Sequence, residues 1–345
     1  MIIGYEGYSP ENSGIADRRR ILFWARARNH SVVNSHDPSA DVIVITSSAN
    51  LGFWAKAKTS KPIILDIVDG LIGEQSVSKD LFRGYGYWAT RRSSNIFPKT
   101  YRSLILDVAR RCSAVVCSSP EQVMEWAKYE IKAIDILDIH DEIPKIVGFS
   151  GDRSTSSNQI FWEGLPATLG SMSLLNEFFD SNRDKEFVLH ILTNLNGFKY
   201  MNKFVKIDLH SVLSRQLDHS NLTINNVQWS PKDVVSYANA STIGVIPIVG
   251  FKGYNHLKAE NRLLIMWRLG LPVLTSPLDS YSRVMRDAKI DGICHDALDW
   301  KVKMSNLSRS SDLRKEFIQK SHSYLENKHK TTDLLEKWDF VVGKN

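Results

Sequence analysis

The sequence predicts an α/β protein with two doubly wound parallel-sheet domains, and three observations carry that prediction. Short β-prone runs alternate with helical runs along the chain of 345 residues, a pattern that implies parallel sheets with helices on both faces. The alternation breaks once, at residues 146–158, a stretch rich in Gly and Ser with no periodic pattern. The length is large for one core and ordinary for two. The expected division is 1–150 for a first domain, 158–330 for a second, and 331–345 for a C-terminal helix.

In the first domain, Met1–Tyr5, Ser31–Asn34, Asp41–Thr46, Pro62–Ile67, Ala114–Cys117 and Lys132–Leu137 are bounded apolar runs of strand length. Ala16–Asn29, Arg102–Arg111 and Pro120–Tyr129 have the amphipathic period of helices. In the second domain the expected strands are Gln159–Trp162, Phe187–Leu192, Leu222–Val227, Ser241–Ile248 and Pro272–Thr275. The expected helices there are Ala167–Asp180, Pro231–Asn239, Lys258–Leu269, Asp279–Ala288 and Ser310–Leu325, followed by Thr331–Val342.

Hydrophobic content of 43% and charged content of 24% fit a globular protein. No apolar run is long enough to span a bilayer and no signal peptide opens the chain, so a cytoplasmic protein is expected. Three scattered cysteines, Cys112, Cys117 and Cys294, make neither a disulfide framework nor a zinc site. A formal charge of +6 is too small to name a nucleic-acid binder; it favours anionic ligands or an acidic membrane face.

The most informative stretch is Lys258-Ala-Glu-Asn-Arg-Leu-Leu-Ile-Met-Trp-Arg-Leu-Gly-Leu-Pro-Val-Leu-Thr-Ser-Pro277. It reads as a helix stopped at Gly270 and Pro272, then a buried strand. Its polar residues gather at the helix start, where backbone N–H groups and the helix dipole favour an anion such as a diphosphate.

That stretch resembles the donor half of GT-B glycosyltransferases, in particular the retaining group related to family 4. The resemblance runs from about Ile160 to about Tyr324. It includes Phe-Trp-Glu-Gly164, Gln228-Trp-Ser-Pro231, Ala238–Pro247, Ser280-Tyr-Ser-Arg283, Asp299-Trp300 and Ser311-Asp-Leu-Arg314. It implies two Rossmann-like domains facing a cleft, a C-terminal helix that crosses back to the first domain, and transfer of a sugar from a nucleoside-diphosphate donor to a hydroxyl acceptor. Retention of configuration is implied by the resemblance only. The family generally needs no metal, and no metal-ligand spacing stands in the sequence.

The resemblance assigns roles residue by residue. Arg262 would clamp phosphate oxygens and Lys258 would act as a point charge, both stabilising the departing diphosphate. Glu260 or Asn261 would hold ribose hydroxyls. Gly164, after a strand, would let the backbone approach a phosphate, and Lys252 would supply a further cation, against the alternative of a solvated loop lysine. Asn194–Phe198 and the loop carrying Trp229 would hold the base; for Trp229, core packing stands as an equal alternative. In the first domain, Ser13-Gly14 in the Gly7–Gly14 loop would favour an anion near the donor phosphates and acceptor. Asp69, in Leu65-Asp-Ile-Val-Asp-Gly70, would orient the acceptor hydroxyl or take its proton, with a turn or cap role as the alternative.

Many family members carry two glutamates spaced E-x7-E. Counting back from Gly270 places Ile265 and Leu257 at those positions, so the usual glutamate roles do not transfer. Two other readings therefore stay open. One is a GT-B enzyme of another kind, such as a sugar-nucleotide epimerase or a transferase acting on DNA bases. The other is a degenerate, non-catalytic nucleotide-sugar binding module.

Residues 81–105 interleave Phe82, Tyr85, Tyr87, Trp88, Phe97 and Tyr101 with Arg83, Arg91, Arg92, Lys99 and Arg102, and no acid interrupts them. They suit a phosphate-bearing acceptor or peripheral contact with an anionic membrane, less a nucleic acid; a surface loop with some buried aromatics is the alternative. His190, inside an apolar strand, is expected to be a satisfied core histidine.

Overall fold

The structure, a computed structural model, describes residues 1–343 except 10, 74–75, 92–97, 147–157, 200–204 and 251–254. Most of the expected linker, and Lys252, lie outside the described residues. The chain forms two compact units. The first comprises Met1–Asp141, Lys252–Ala259 and Lys330–Asn345; the second comprises Glu142–Phe251 and Glu260–His329.

The first unit carries six strands: β1 (Ile2–Glu6), β2 (Ser31–Asn34), β3 (Val42–Thr46), β4 (Ile63–Asp66), β5 (Ala114–Cys117) and β6 (Ala133–Asp135). Their order is β2-β1-β3-β4-β5-β6, all parallel. Successive residues of a strand face opposite sides, and the central strands β3, β4 and β5 are buried on both, so they read as nearly unbroken apolar runs. Ile43, Ile45, Ile63, Leu65, Val115 and Cys117 enter one core, with Trp54, Leu104, Ile105 and Trp126 from covering helices. Val42, Val44, Ile64 and Val116 enter the other, with Ile21, Trp24, Leu334, Trp338 and Val341. The last three belong to the C-terminal helix Thr331–Gly343, so this helix closes one face of the first sheet. Arg28 holds it from outside through Asp339, at 2.6 Å.

The second unit carries β7 (Gln159–Glu163), β8 (Phe187–Thr193), β11 (Leu222–Gln228), β12 (Ile243–Ile246) and β13 (Val273–Thr275) in the order β11-β8-β7-β12-β13, again all parallel. A separate antiparallel pair, β9 (Phe198–Lys199) and β10 (Val205–Lys206), stands beside it in sequence. His190 in β8 is satisfied on both ring nitrogens, by Gln159 Oε1 at 2.7 Å and Asn225 Nδ2 at 3.2 Å. Burial lowers its pKa, as a core histidine requires.

Among the described residues, four α-helices are additional to the expected set, Leu51–Trp54, Val77–Arg91, Leu209–Ser214 and Ala297–Arg309, with a 3-10 turn at Leu71–Gly73. Three expected helices differ. Ala16–Asn29 is two helices, Ile15–Arg19 and Ile21–Ala27, broken at Arg20 with φ −124° and ψ −115°. Ala167–Asp180 is a 3-10 helix Pro166–Leu175 followed by a short α-helix Asn176–Asp180; Gly170 and two serines weaken the α-form there. The helix expected from Lys258 starts at Asn261, with Glu260 as its N-cap, and Lys258 lies in the turn before it.

Candidate functional site

Open parallel sheets bind ligands beyond the carboxyl ends of strands where the strand order reverses direction. In the second unit that point lies between β7 and β12. β7 ends at Glu163, and Gly164 follows with φ +156°, a conformation suited to glycine. Its amide donates to Leu192 O at 3.1 Å and its carbonyl accepts from Thr193 Oγ1 at 2.7 Å.

Arg262, in the first turn of helix Asn261–Arg268, lays its guanidinium over this turn. Its Cζ stands 5.4 Å from the Trp162 ring centroid, within cation–π range. A Cβ at position 164 would overlap Arg262 Nη2 and lie 2.8 Å from Cζ. Glycine here lets the Arg262 guanidinium lie against the turn. Arg262 Nη1 is buried and has no hydrogen-bond partner, and the residue makes no ion pair among the described residues.

Two acids of this unit, Glu260 and Glu163, have partners other than Arg262. Glu260 is 1% exposed and pairs with Arg283 Nη2 at 2.8 Å. Glu163 Oε2 accepts the Trp229 indole N–H at 3.1 Å. Trp229 is half-buried, its amide tied to Thr193 O at 2.9 Å. Asn261, also half-buried, is the first residue of the helix. Tyr281 completes the group: its hydroxyl is pushed up to about 12, chiefly by burial, with Glu260 and Glu163 adding to the rise and Arg262 opposing it. Sequence reasoning gave no role to Glu163, Tyr281 or Arg283. The legible signal was their place, at a strand end before a glycine and in the Ser280–Arg283 run.

In the first unit the matching point lies between β1 and β3. Here the loop after β1 is filled by the chain itself. Asp17, fully buried, accepts from Tyr5 OH (2.6 Å), Tyr8 N (2.7 Å), Ser9 N (3.2 Å), Ser9 Oγ (2.9 Å) and Gly14 N (3.1 Å). Ser9 Oγ also takes the amides of Ser13 (2.8 Å) and Gly14 (2.9 Å). The amides expected to meet an external anion are therefore occupied by an internal carboxylate and a hydroxyl.

Behind this loop Arg20 is fully buried. Its Nη2 meets Asp66 Oδ1 at 2.6 Å, and its Nη1 meets Asp138 Oδ1 at 3.2 Å and Ser118 Oγ at 3.2 Å. Tyr8 OH donates to Asp66 O at 2.7 Å and accepts from Val68 N at 3.1 Å. These bonds fix the start of the segment that carries Asp69.

Lys258 reaches that segment through its neighbour. Leu257 is 2% exposed and packs against Gly70 and Gly73, where an added Cβ at either glycine would overlap it. Gln122 Nε2 donates to both Val68 O (3.0 Å) and Leu257 O (2.8 Å). The Asp69 side chain is solvent-accessible beside dense protein; desolvation raises its carboxyl pKa, while Lys258 and Arg83 pull it down. The residues the sequence lists together thus divide, Lys258 grouping with the first unit and Glu260, Asn261 and Arg262 with the second.

Helix Val77–Arg91 buries Tyr87, whose hydroxyl bonds the Ala49 carbonyl and Leu51 amide, and exposes Val77, Leu81, Phe82 and Tyr85. Arg92 and Phe97 lie outside the described residues. No described helix is long and apolar enough to cross a membrane.

The sequence matches no known family profile, and no curated protein is similar to it. Solved structures are similar. Anabaena HepE in complex with UDP and glucose superposes with a TM-score of 0.66 at 9% identity, covering 100% of this chain and 99% of that one. WaaG, a glycosyltransferase involved in lipopolysaccharide biosynthesis, gives 0.59 at 14% identity over 99% and 100%. TarM gives 0.62 at 12% identity over 87% of this chain. The two parallel sheets and these likenesses decide the architecture. The chain has the GT-B fold. It spans about half the TarM chain, 54%. Within the GT-B fold, Gly164 occupies the strand-end turn of the second Rossmann-like unit, with Trp162 in the strand before it and Arg262 in the helix over it, and Asp69 follows a strand end of the first.

Proposed function

We propose that this chain is a glycosyltransferase that takes a sugar from a nucleoside diphosphate to a hydroxyl acceptor. The observation that carries the reading is Arg262, a cation at a strand-end switch point with a buried nitrogen that no group among the described residues meets. Leaving such a donor unmet is unfavourable unless a ligand meets it. A diphosphate offers that ligand: Arg262 would take its oxygens, Asn261 a ribose hydroxyl, and the backbone near Gly164 would allow close approach. The likeness to proteins solved with UDP, or described as glycosyltransferases, supports the same reading.

In this reading the first unit handles the acceptor. Asp69, its carboxyl raised by desolvation, accepts the hydroxyl proton, and Lys258 supplies a positive charge beside it. Arg262 stabilises the charge that grows on the leaving diphosphate. No step calls for a metal, and configuration is retained. The exposed apolar face of Val77, Leu81, Phe82 and Tyr85 gives the acceptor side a means of peripheral contact with an anionic membrane.

A second reading, a non-catalytic nucleotide-sugar binder, is favoured by one observation. Ile265 and Leu257 stand where the family's glutamates are expected, and both are buried apolar residues. A thermal-shift screen with UDP, GDP, ADP, CMP and dTDP and their common sugars tests both. One nucleotide family should stabilise the protein, by about 2.7 kcal/mol at a hundredfold excess over Kd, and Arg262→Ala should abolish the shift. No shift with any nucleotide would sink the donor site. A shift without turnover on any hydroxyl acceptor would leave the binding module.

A further inference from the structure

A recess of about 560 Å³ lies in the first unit and shares no residue with the sites described above. One wall is aromatic. The His36 ring lies parallel to Trp54 at 5.3 Å, with an interplanar angle of 12°, and edge-on to Phe53 at 5.0 Å. Phe53 and His36 are exposed, while Trp54 is buried behind them. This wall is fixed from within. The Trp54 indole N–H donates to Glu6 Oε2 at 2.7 Å, and Glu6 Oε1 accepts the amide of Asn50 at 2.7 Å. Asn50 in turn caps helix Leu51–Trp54 by accepting from Phe53 N.

The other wall is basic. Arg111 donates to the carbonyls of Ala55 and Ala57, which sets the course of the stretch carrying Lys56 and Lys58. Both lysines are exposed, and neither side chain makes an ion pair or hydrogen bond among the described residues. Lys61 spans the recess to Pro38 O at 2.6 Å. Asp37 is the one acid in the lining, and its carboxylate already accepts from Ser39 N (2.8 Å) and Ser39 Oγ (2.6 Å). A cavity in the second unit shows the contrast: its Lys303 and Lys320 are paired with Asp291 and Glu316.

We propose that this recess binds an acidic saccharide. The exposed rings of Phe53 and His36, set edge-on, offer an aromatic corner whose negative ring surface suits the C–H face of a hexose. Lys56 and Lys58 meet a carboxylate or sulfate that the sugar carries, as point charges on flexible stems. The volume is that of a small-molecule pocket and accommodates a short oligosaccharide. A nucleic acid fits less well, because its backbone calls for a run of cations, whereas these three lysines are confined to one recess. The proposal stands independently of the transferase reading.

Isothermal titration of the full chain tests it, with tetragalacturonate, a sulfated tetrasaccharide, neutral maltotetraose, inorganic phosphate and a thymidine oligonucleotide as probes. Either acidic saccharide should bind, and maltotetraose roughly tenfold more weakly or not at all. Which acidic saccharide binds names the anionic group. Phe53→Ala and the pair Lys56→Ala with Lys58→Ala should each weaken binding about tenfold. Neither should alter a nucleotide-induced thermal shift, and circular dichroism should be unchanged because all three side chains are exposed. Phosphate binding as tightly as the saccharides, or the oligonucleotide binding more tightly, would overturn the assignment. So would saccharide binding that both variants leave intact, or none at all.

Discussion

The two strand-end turns of this chain are built from the same kinds of residue and end in opposite states. After β1, the loop carries glycines, serines and a following arginine, and its buried Asp17 and Arg20 both find partners within the first unit. Asp17 fills the amides, and Arg20 is neutralised by Asp66 and Asp138. After β7, a glycine again precedes polar and basic residues, yet Arg262 keeps a buried nitrogen with no partner while Glu260 is drawn off to Arg283. Asp17 and Arg20 spend their charge within the fold, and the unmet nitrogen of Arg262 is what its proposed donor role rests on. The contrast makes the donor role of Arg262 testable against a control within the same molecule.

The largest effect should come from Arg20. Arg20→Ala leaves two carboxylates buried without their cation, which typically destabilises by about 3–5 kcal/mol. Burial already raises the pKa of both Asp66 and Asp138; Arg20 is the main charge opposing it, with Arg19 adding at Asp138. Without it, their folded pKa values rise further above the unfolded values. A raised carboxyl contributes stability below the unfolded pKa and loses it as pH rises through the folded pKa. Urea midpoints of Arg20→Ala should therefore improve on the way from pH 7 to pH 5, relative to the native chain. A midpoint within experimental error of the native protein would dissolve the contrast.

Arg262→Ala should do the reverse. Its loss removes a cation–π contact but also an unmet buried donor, so stability without ligand should stay within about 1 kcal/mol. The nucleotide-induced stabilisation of about 2.7 kcal/mol at a hundredfold excess over Kd should vanish. If Arg262→Ala instead unfolded the protein as Arg20→Ala does, the residue would be structural.

Gly164→Ala sharpens the same point by moving the guanidinium without removing it. The new Cβ would overlap Nη2, and Arg262, at the far end of a flexible chain, must swing away. Nucleotide affinity should fall about tenfold, or about 1.4 kcal/mol. Adding Gly164→Ala to Arg262→Ala should then cost no further affinity, the signature of two residues acting through one contact.

How much of this was legible beforehand depends on the range of the interaction. The strands were readable because β3, β4 and β5 bury both faces and so read as unbroken apolar runs. The glycine stop at Gly270 and the turn at Gly164 are local and were readable too. The break at Arg20 was not, since nothing in Asp17–Arg28 departs from a helical period. Its cause is Asp66, 46 residues away. Helix Val77–Arg91 was hidden by Gly84 and Gly86, which lower helix propensity. The late start of the Asn261–Arg268 helix traces to Leu257, held by Gly70 and Gly73 nearly two hundred residues earlier. Likewise, the pairing of Glu260 with Arg283 decides which charges near Gly164 stay unmet, and a linear reading cannot rank those partners.

The smallest expected effect concerns Asp69, which lies between the two states. It is accessible, unlike Asp66, yet desolvation raises its carboxyl, with Lys258 and Arg83 opposing. Raised in the folded chain, this group contributes stability below the ordinary aspartate pKa of about 4 and loses it as pH rises through the folded value. Asp69→Asn removes the ionisation, so its stability relative to the native chain should improve slightly across that window and level off above it. The same substitution should depress transfer to acceptor while leaving the nucleotide-induced shift intact, because Arg262 and Gly164 belong to the second unit. A structural turn residue would show the pH signature or a plain loss of stability, and acceptor turnover would follow stability. Urea midpoints from pH 3.5 to 7, read beside kcat with a saturating donor, separate these. Turnover equal to the native protein's would return Asp69 to the ranks of the satisfied, fold-holding carboxylates.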